Sequence, residues 1–266
     1  MKNNLTTSLK GLNALVCGST SGIGQATAIE LSKSGANVTL FARNKTKVKK
    51  TLALLDFSEN QSHQYIIGDF DKPTDIAYNI KYHIEDGNKY HILINNSGGP
   101  KGGLISEAKI EEFLKGFNRH LICNHILFQA NYGVMKKNKY GRIINIISTS
   151  VKQPIPNLGV SNTIRGAVAS WAKTLSFEVA EHGITVNNIL PGYTDTDRLS
   201  SLIYSKATSS EVSTDKVVQT MKQSVPSKRF GLPEEIAKTI AFLASPATGY
   251  INGVSLAVDG GRLTCI

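Results

Sequence analysis

Residues 17–24 read CGSTSGIG, and their reading decides the fold. The run follows LNALVCG (12–18), an apolar, β-rich segment, and opens a stretch near 22–34 with helical spacing. Gly18, Gly22 and Gly24 stand in a G-x-x-x-G-x-G pattern. Glycine lets a chain turn tightly from strand to helix and lets its backbone approach a phosphate closely. The helix start offers free N–H groups and a partial positive charge. Alone, such a turn is a weak signal, because ordinary strand–helix turns carry glycines too. Placed after a first strand and before a helix, it marks a pyrophosphate cradle made by Gly18, Ser19, Thr20, Ser21, Gly22, Ile23 and Gly24.

Outward from this turn, apolar and helical segments alternate. The other candidate strands are NVTLFA (37–42), QYIIG (64–68), HILIN (91–95), RIINIIS (142–148), ITVNNIL (184–190) and VSLAV (254–258). Several are near-continuous Val, Ile and Leu, as expected of strands buried on both faces. Helical spacing falls near 45–55, 73–86, 107–138, 160–181 and 233–245. A βαβα series predicts an α/β class: one Rossmann domain over 1–266, with a doubly wound, seven-stranded parallel sheet. Residues 193–230 show no clear periodicity and are read as a substrate loop or lid.

The second strand ends in FARN (41–44), where many dinucleotide folds place an acid for the adenosine ribose. Arg43 stands there instead, and its forked donor suits a 2′-phosphate, so NADP(H) is favoured over NAD(H). Lys45, Lys47, Lys49 and Lys50 follow without an acid and are read as a solvated helix face. GDF (68–70) and NNSGG (95–99) close the third and fourth strands, at the carboxyl ends where open α/β sheets bind ligands. Asp69 and Phe70 are expected at the adenine, and Asn95, Ser97 and Gly98 along the cofactor ribose.

Composition narrows the class. A chain of 266 residues with 41% hydrophobic and 19% charged residues is long enough for one sizeable core and too apolar for disorder. The start, MKNNLTTSLKGLN, has no apolar run of a signal peptide, and no segment is long and apolar enough to span a membrane. The three cysteines form no CxxC, which fits free thiols in a reducing cytoplasm. Six histidines without HExxH give no metal site. A net charge of +10 comes with no nucleic-acid recognition motif; a basic surface serving an anionic cofactor or an acidic partner accounts for it.

Taken together, CGSTSGIG, GDF, NNSGG, GRIINIIS (141–148), VNNILPGYTDT (186–196) and SLAVDGG (255–261) resemble the short-chain dehydrogenase/reductase family over nearly the whole chain. The likeness is greatest to its 3-oxoacyl-[acyl-carrier-protein]-reductase-like branch. The resemblance implies NADP(H)-dependent hydride transfer between nicotinamide and a carbonyl or hydroxyl. The substrate would be a small molecule or an acyl thioester, including one on acyl carrier protein. It also implies a homotetramer or dimer, with one face on the 107–138 and 160–181 helices and another on the final helix and strand. PGYTDT would serve the nicotinamide through Pro191, Gly192, Tyr193 and Thr196.

The family pattern places a Ser after the fifth strand, a Tyr about 13 residues later, a Lys four beyond, and an Asn in the preceding helix. Here Ser148 matches, but Ser161, Arg165 and His120 occupy the other positions. YGVMK offers Tyr132 and Lys136 at the right mutual spacing, but before the Ser and late in a helix, so it is read as surface. Tyr has an unperturbed pKa near 10, and an aliphatic hydroxyl lies far above it, close to water, so Ser161 as a direct acid falls short by on the order of 7 kcal/mol. Arg165 stays charged and can hold ribose or a carboxylate. His120, with an ordinary pKa near 6.5, is the candidate proton donor or relay. Lys152 and the Tyr193 phenol are weaker candidates. Two readings remain: an oxidoreductase with an altered catalytic set, or an NADP-binding sensor or partner subunit that has lost its chemistry.

Overall fold

The computed structural model describes residues 5–265. The first four residues and the last lie outside the described residues, so the reading of the chain start is placed only from Leu5 onward. Seven parallel strands form one sheet: β1 (Asn13–Cys17), β2 (Asn37–Ala42), β3 (Gln64–Ile67), β4 (Ile92–Asn95), β5 (Gly141–Ile146), β6 (Ile184–Pro191) and β7 (Ser255–Val258). Their order is β3-β2-β1-β4-β5-β6-β7. The chain runs outward from β1 to β3 and then returns to β4 beside β1. That reversal opens a crevice at the carboxyl ends of β1 and β4, where such sheets take ligands.

The strands are apolar because helices cover both faces. All residues of β4 and β5 are buried. On one face, α1 (Gly22–Lys33) and α9 (Pro233–Ala244) supply Ala28, Leu31, Ile236 and Ile240. On the other, α3 (Pro73–Glu85), α5 (Cys123–Asn138) and α6 (Gly159–Val179) supply Ile76, Ile80, Leu127, Ala172 and Leu175. The short α2 (Lys45–Leu52) buries Val48 and Thr51 and leaves most of its lysines exposed.

A polar row crosses the carboxyl half of this apolar sheet. Asn95, Asn145, Asn188 and Ser255 are direct partners in the strand register. Asn95 Nδ2 donates to Asn145 Oδ1 (2.8 Å), Asn145 Nδ2 to Asn188 Oδ1 (2.9 Å), and Asn188 Nδ2 to Ser255 Oγ (3.1 Å). Four strands are thereby tied in register just below the crevice.

Two expectations change. The helix expected over 107–138 is α4 (Ile110–Phe117), a π-helical turn (Asn118–Ile122) and α5. Phe117, Ile122 and Cys123 keep right-handed helical backbone around the π turn, so the stretch reads as one helix; such turns often sit at functional sites. The 193–230 stretch is not an unpatterned loop. It contains α7 (Asp197–Ser209) and α8 (Thr214–Gln223), capped by the side chains of Thr196 and Ser213. Leu199, Ile203, Ala207, Val217 and Met221 form their own small cluster with Tyr193 and Phe230. Each helix buries so few residues that its stripe is thin in the sequence. Among the described residues no helix is long and apolar enough to cross a membrane.

Candidate active site

The glycine turn has the backbone its sequence requires. Gly18 and Gly22 have φ of +57° and +51°, in the left-handed region that side chains disfavour. A Cβ on Gly24 would overlap the Gly18 carbonyl oxygen, so only glycine lets α1 start this close to β1. Ser21 makes no side-chain cap, which leaves the N–H groups of the first turn of α1 free. The Ser19 hydroxyl is buried without a hydrogen-bond partner. Thr20, Ser21, Gly22, Lys47, Lys50 and Thr196 line a cavity of about 450 Å³ in front of this turn. Orphaned donors, two lysines and an open volume together fit a nucleotide diphosphate and its attached phosphate. Lys47 and Lys50, expected as a solvated face, thus border the cavity as well.

Arg43 projects from the end of β2 with its side chain 72% exposed, and its guanidinium lies 3.8 Å from Asp69. Both stand at the rim where the adenosine end of a dinucleotide would lie. Phe70, expected at the adenine, is core: it is buried, with its ring edge-on to Phe41 at 5.3 Å.

After β4 the alternation of strand side chains separates neighbours. Asn95, expected along the ribose, turns inward into the asparagine row, and its side chain is not available to a ligand. Its neighbour Asn96, which the sequence reading passed over, donates to the Gly18 carbonyl (3.2 Å) and fastens the glycine turn to β4. The doubled Asn was the signal, since successive residues of a strand face opposite ways. Ser97 Oγ meets His120 Nδ1 at 2.8 Å. The Gly98 carbonyl accepts from Arg119 Nη1 at 2.9 Å.

Ser148 lies two residues beyond β5, where its Oγ accepts from the Ser150 N–H (3.0 Å) and caps a short 3₁₀ turn. Ser161 and Arg165 sit one helical turn apart on α6, both buried. Arg165 Nη1 donates to the carbonyl of Ile146, the last residue of β5, at 3.0 Å. The fold therefore brings Arg165 to the same strand end that presents Ser148. Burial, and then the charge of Arg198, push the Arg165 guanidinium down to about 10, which leaves it protonated at neutral pH.

His120 is carried by the π-helical turn and is only 3% exposed. Burial, then Arg165, Arg119 and Arg198, hold its imidazole well below 6.5. Its Nε2 is buried without a partner. Burial and the three guanidiniums disfavour the imidazolium, which weighs against His120 as a proton donor and leaves the relay role open to a neutral ring. As a neutral ring it fixes the Ser97 hydroxyl.

At the end of β6, the Gly192 N–H donates to the Val258 carbonyl (3.0 Å). Pro191 ends the strand beside Val258. The Thr196 methyl reaches Gly22, while its hydroxyl caps α7. The Tyr193 phenol has a side-chain partner. It accepts from Arg262 Nη2 (3.1 Å), and its ring packs edge-on to Phe230 in the α7–α8 cluster. Lys152 is exposed. Tyr132 lies 6.1 Å from His182, which precedes β6, at the amino ends of the strands and away from the crevice.

Residues 18–262 match the family model described as enoyl-(acyl carrier protein) reductase. The 3-oxoacyl-[acyl-carrier-protein] reductase FabG of Haemophilus influenzae is 35% identical over 255 residues, covering 95% of this chain and 98% of that protein. The NADPH-dependent reductase BacG of Bacillus subtilis is 29% identical over 255 residues, with 95% and 98% covered. The L-sorbose reductase of Gluconobacter frateurii, solved with NADPH and L-sorbose, superposes with a TM-score of 0.91 at 26% identity, covering 98% of this chain and 99% of that one. The chain belongs to the short-chain dehydrogenase/reductase family of oxidoreductases, in its 3-oxoacyl-[acyl-carrier-protein]-reductase-like branch.

Proposed function

We propose that this chain is a working carbonyl reductase that takes NADP(H) in preference to NAD(H). The observation that carries the reading is convergence. The glycine cradle, the Ser148 turn and the Arg165 guanidinium lie at the carboxyl ends of β1 and β5, the two strands that flank β4. The reductases among its relatives act on carbonyl compounds and include NADPH-dependent ones. When bound, the cofactor supplies or accepts the hydride.

The chain's own residues do the rest. Gly18 to Gly24 and the start of α1 hold the diphosphate, and Arg43 with Lys47 and Lys50 hold the 2′-phosphate. Among the described residues Arg43 meets no acid closer than Asp69 at 3.8 Å, which supports the NADP preference. Ser97 and Gly98 flank the nicotinamide ribose, with Thr196 on the opposite side of the crevice. Ser148 Oγ–H holds the substrate oxygen. Arg165 places permanent positive charge where an alkoxide develops, which lowers the need for a strong acid. Ser161 is too short to reach that oxygen, so a water seated on its hydroxyl passes the proton and is reprotonated from solvent, with the Arg165 charge offsetting the weakness of water as an acid. The substrate is a small carbonyl compound or an acyl thioester, with acyl carrier protein as its carrier in the latter case. The free thiols of buried Cys17 and Cys123 suit a reducing compartment such as the cytoplasm.

The test is NADPH oxidation over a panel of β-keto thioesters and simple ketones, after fluorescence has established NADPH binding. Turnover that Ser148→Ala reduces by about a hundredfold is expected. Binding without turnover across the panel points to a sensor or partner subunit instead.

A further inference from the structure

The chain after β4 passes through a group of guanidiniums. Arg119 Nη1 donates to the Gly98 carbonyl (2.9 Å) and Arg198 Nη2 to the Pro100 carbonyl (3.1 Å). At Gly99 between them, a Cβ would stand 3.1 Å from Arg198 Nη2 and 3.5 Å from Arg165 Nη2. Two guanidinium forks from α6 and α7 thus face one side-chain-free position beside the reactive end of the crevice.

Their charges differ in one respect. Arg119 is neutralised by Asp71, with two bonds of 2.6 Å, and Lys115 adds to the same carboxylate. Among the described residues no carboxylate comes within ion-pair distance of Arg165 or Arg198. Arg165 is only 8% exposed, and Arg198 lowers its proton affinity further. A buried cation set beside a second cation with no counter-charge is unfavourable unless an anion completes it. The buried His120 Nε2, also partnerless, borders the same group of arginines.

We infer that Arg165 and Arg198 form an anion subsite over Gly99, and that the substrate of this reductase carries a carboxylate there. The inference rests on the reductase reading for the word substrate, but the subsite itself is defined by binding. Planar guanidinium forks match a carboxylate bidentately, and glycine at 99 is what lets both forks come this close to the backbone. The carboxylate would orient the neighbouring carbonyl toward Ser148. Arg198 then acts as a specificity residue that no motif of the cofactor site requires.

Calorimetry on the NADPH complex tests this without turnover, using levulinate and benzoylformate against their methyl esters, with inorganic phosphate as a separate arm. The acids are expected to bind at least about tenfold tighter than the esters, with affinity falling as salt rises. Arg198→Gln lies on an exposed first turn and leaves the fold intact. It is expected to remove that preference while leaving NADPH affinity unchanged. Arg165→Lys is expected to retain part of it. Equal binding of acids and esters, or no acid binding below about 10 mM, overturns the subsite. So does an Arg198→Gln variant that loses NADPH rather than the acids, which assigns Arg198 to the cofactor phosphates. Phosphate binding as tightly as the acids overturns the carboxylate assignment. Acid binding without NADPH oxidation keeps the subsite and fails the reductase; oxidation with esters as good as acids does the reverse.

Discussion

Arg43 and His120 are single side chains whose surroundings decide their roles. Arg43 stands exposed at the end of β2, its guanidinium 3.8 Å from Asp69. Arg43→Glu is expected to weaken NADPH binding at least tenfold, about 1.4 kcal/mol or more, and NADH binding much less; fluorescence titration with both cofactors reads the ratio. His120 has its folded pKa held below 6.5, so the unfolded chain binds the extra proton first. Its burial as a neutral ring therefore favours the fold fully above about pH 6.5 and progressively less as pH falls below it. Melting temperatures followed from about pH 7.5 to 5.5 are expected to drop, and His120→Asn to flatten part of that drop. Half-buried His83 and His91, shifted the same way, supply the remainder. Arg43 was legible in the sequence because its meaning depends on one strand end. Asn96, Arg198 and the neutral state of His120 were not, because each depends on groups brought from distant segments. Tyr193 likewise depends on a distant group: its partner, Arg262, is 69 residues away along the chain.

The elements add two tests. The row Asn95–Asn145–Asn188–Ser255 locks four strands in register. Asn145→Leu leaves an amide donor and a carbonyl acceptor buried and unpaired, so a loss of about 3 kcal/mol is expected in urea unfolding. At the glycine turn, Gly24→Ala pushes a methyl into the Gly18 carbonyl. The strain forces α1 away from β1, at a cost of about 3 kcal/mol, and NADPH binding should fall with it. The strands and the glycine turn were readable because continuous Val/Ile/Leu runs and a local φ requirement leave few alternatives. α7 and α8 were missed because each buries a thin stripe into a satellite cluster, although Thr196 and Ser213 stood as capping signals. The π-helical turn is flanked by right-handed helical backbone and so reads as part of one helix.

At the scale of the molecule, two groups among the exposed apolar side chains lie on the α4–α6 face and the α9–β7 face. Ile110, Leu114, Ile122 and Phe177 are exposed along α4 to α6, and Phe242, Tyr250 and Leu256 around α9 and β7. These are the two faces that the family resemblance assigns to subunit contact, which supports a homo-oligomer. Light scattering is expected to find a tetramer or dimer, and Leu114→Glu with Phe177→Glu to reduce its order; a wild-type monomer would contradict this. The central claim is that GVSNTIRGAV, with Ser161 and Arg165 in place of the usual pair, belongs to a functioning site. The most direct measurement is deuterium transfer from NADPH labelled at the reactive nicotinamide carbon into the products of a panel that includes oxo acids and β-keto thioesters. The account requires label at the former carbonyl carbon, with transfer lowered at least about a hundredfold by Arg165→Gln under saturating NADPH. Saturable NADPH binding with no label in any product would contradict it and leave a dinucleotide-binding protein without the chemistry.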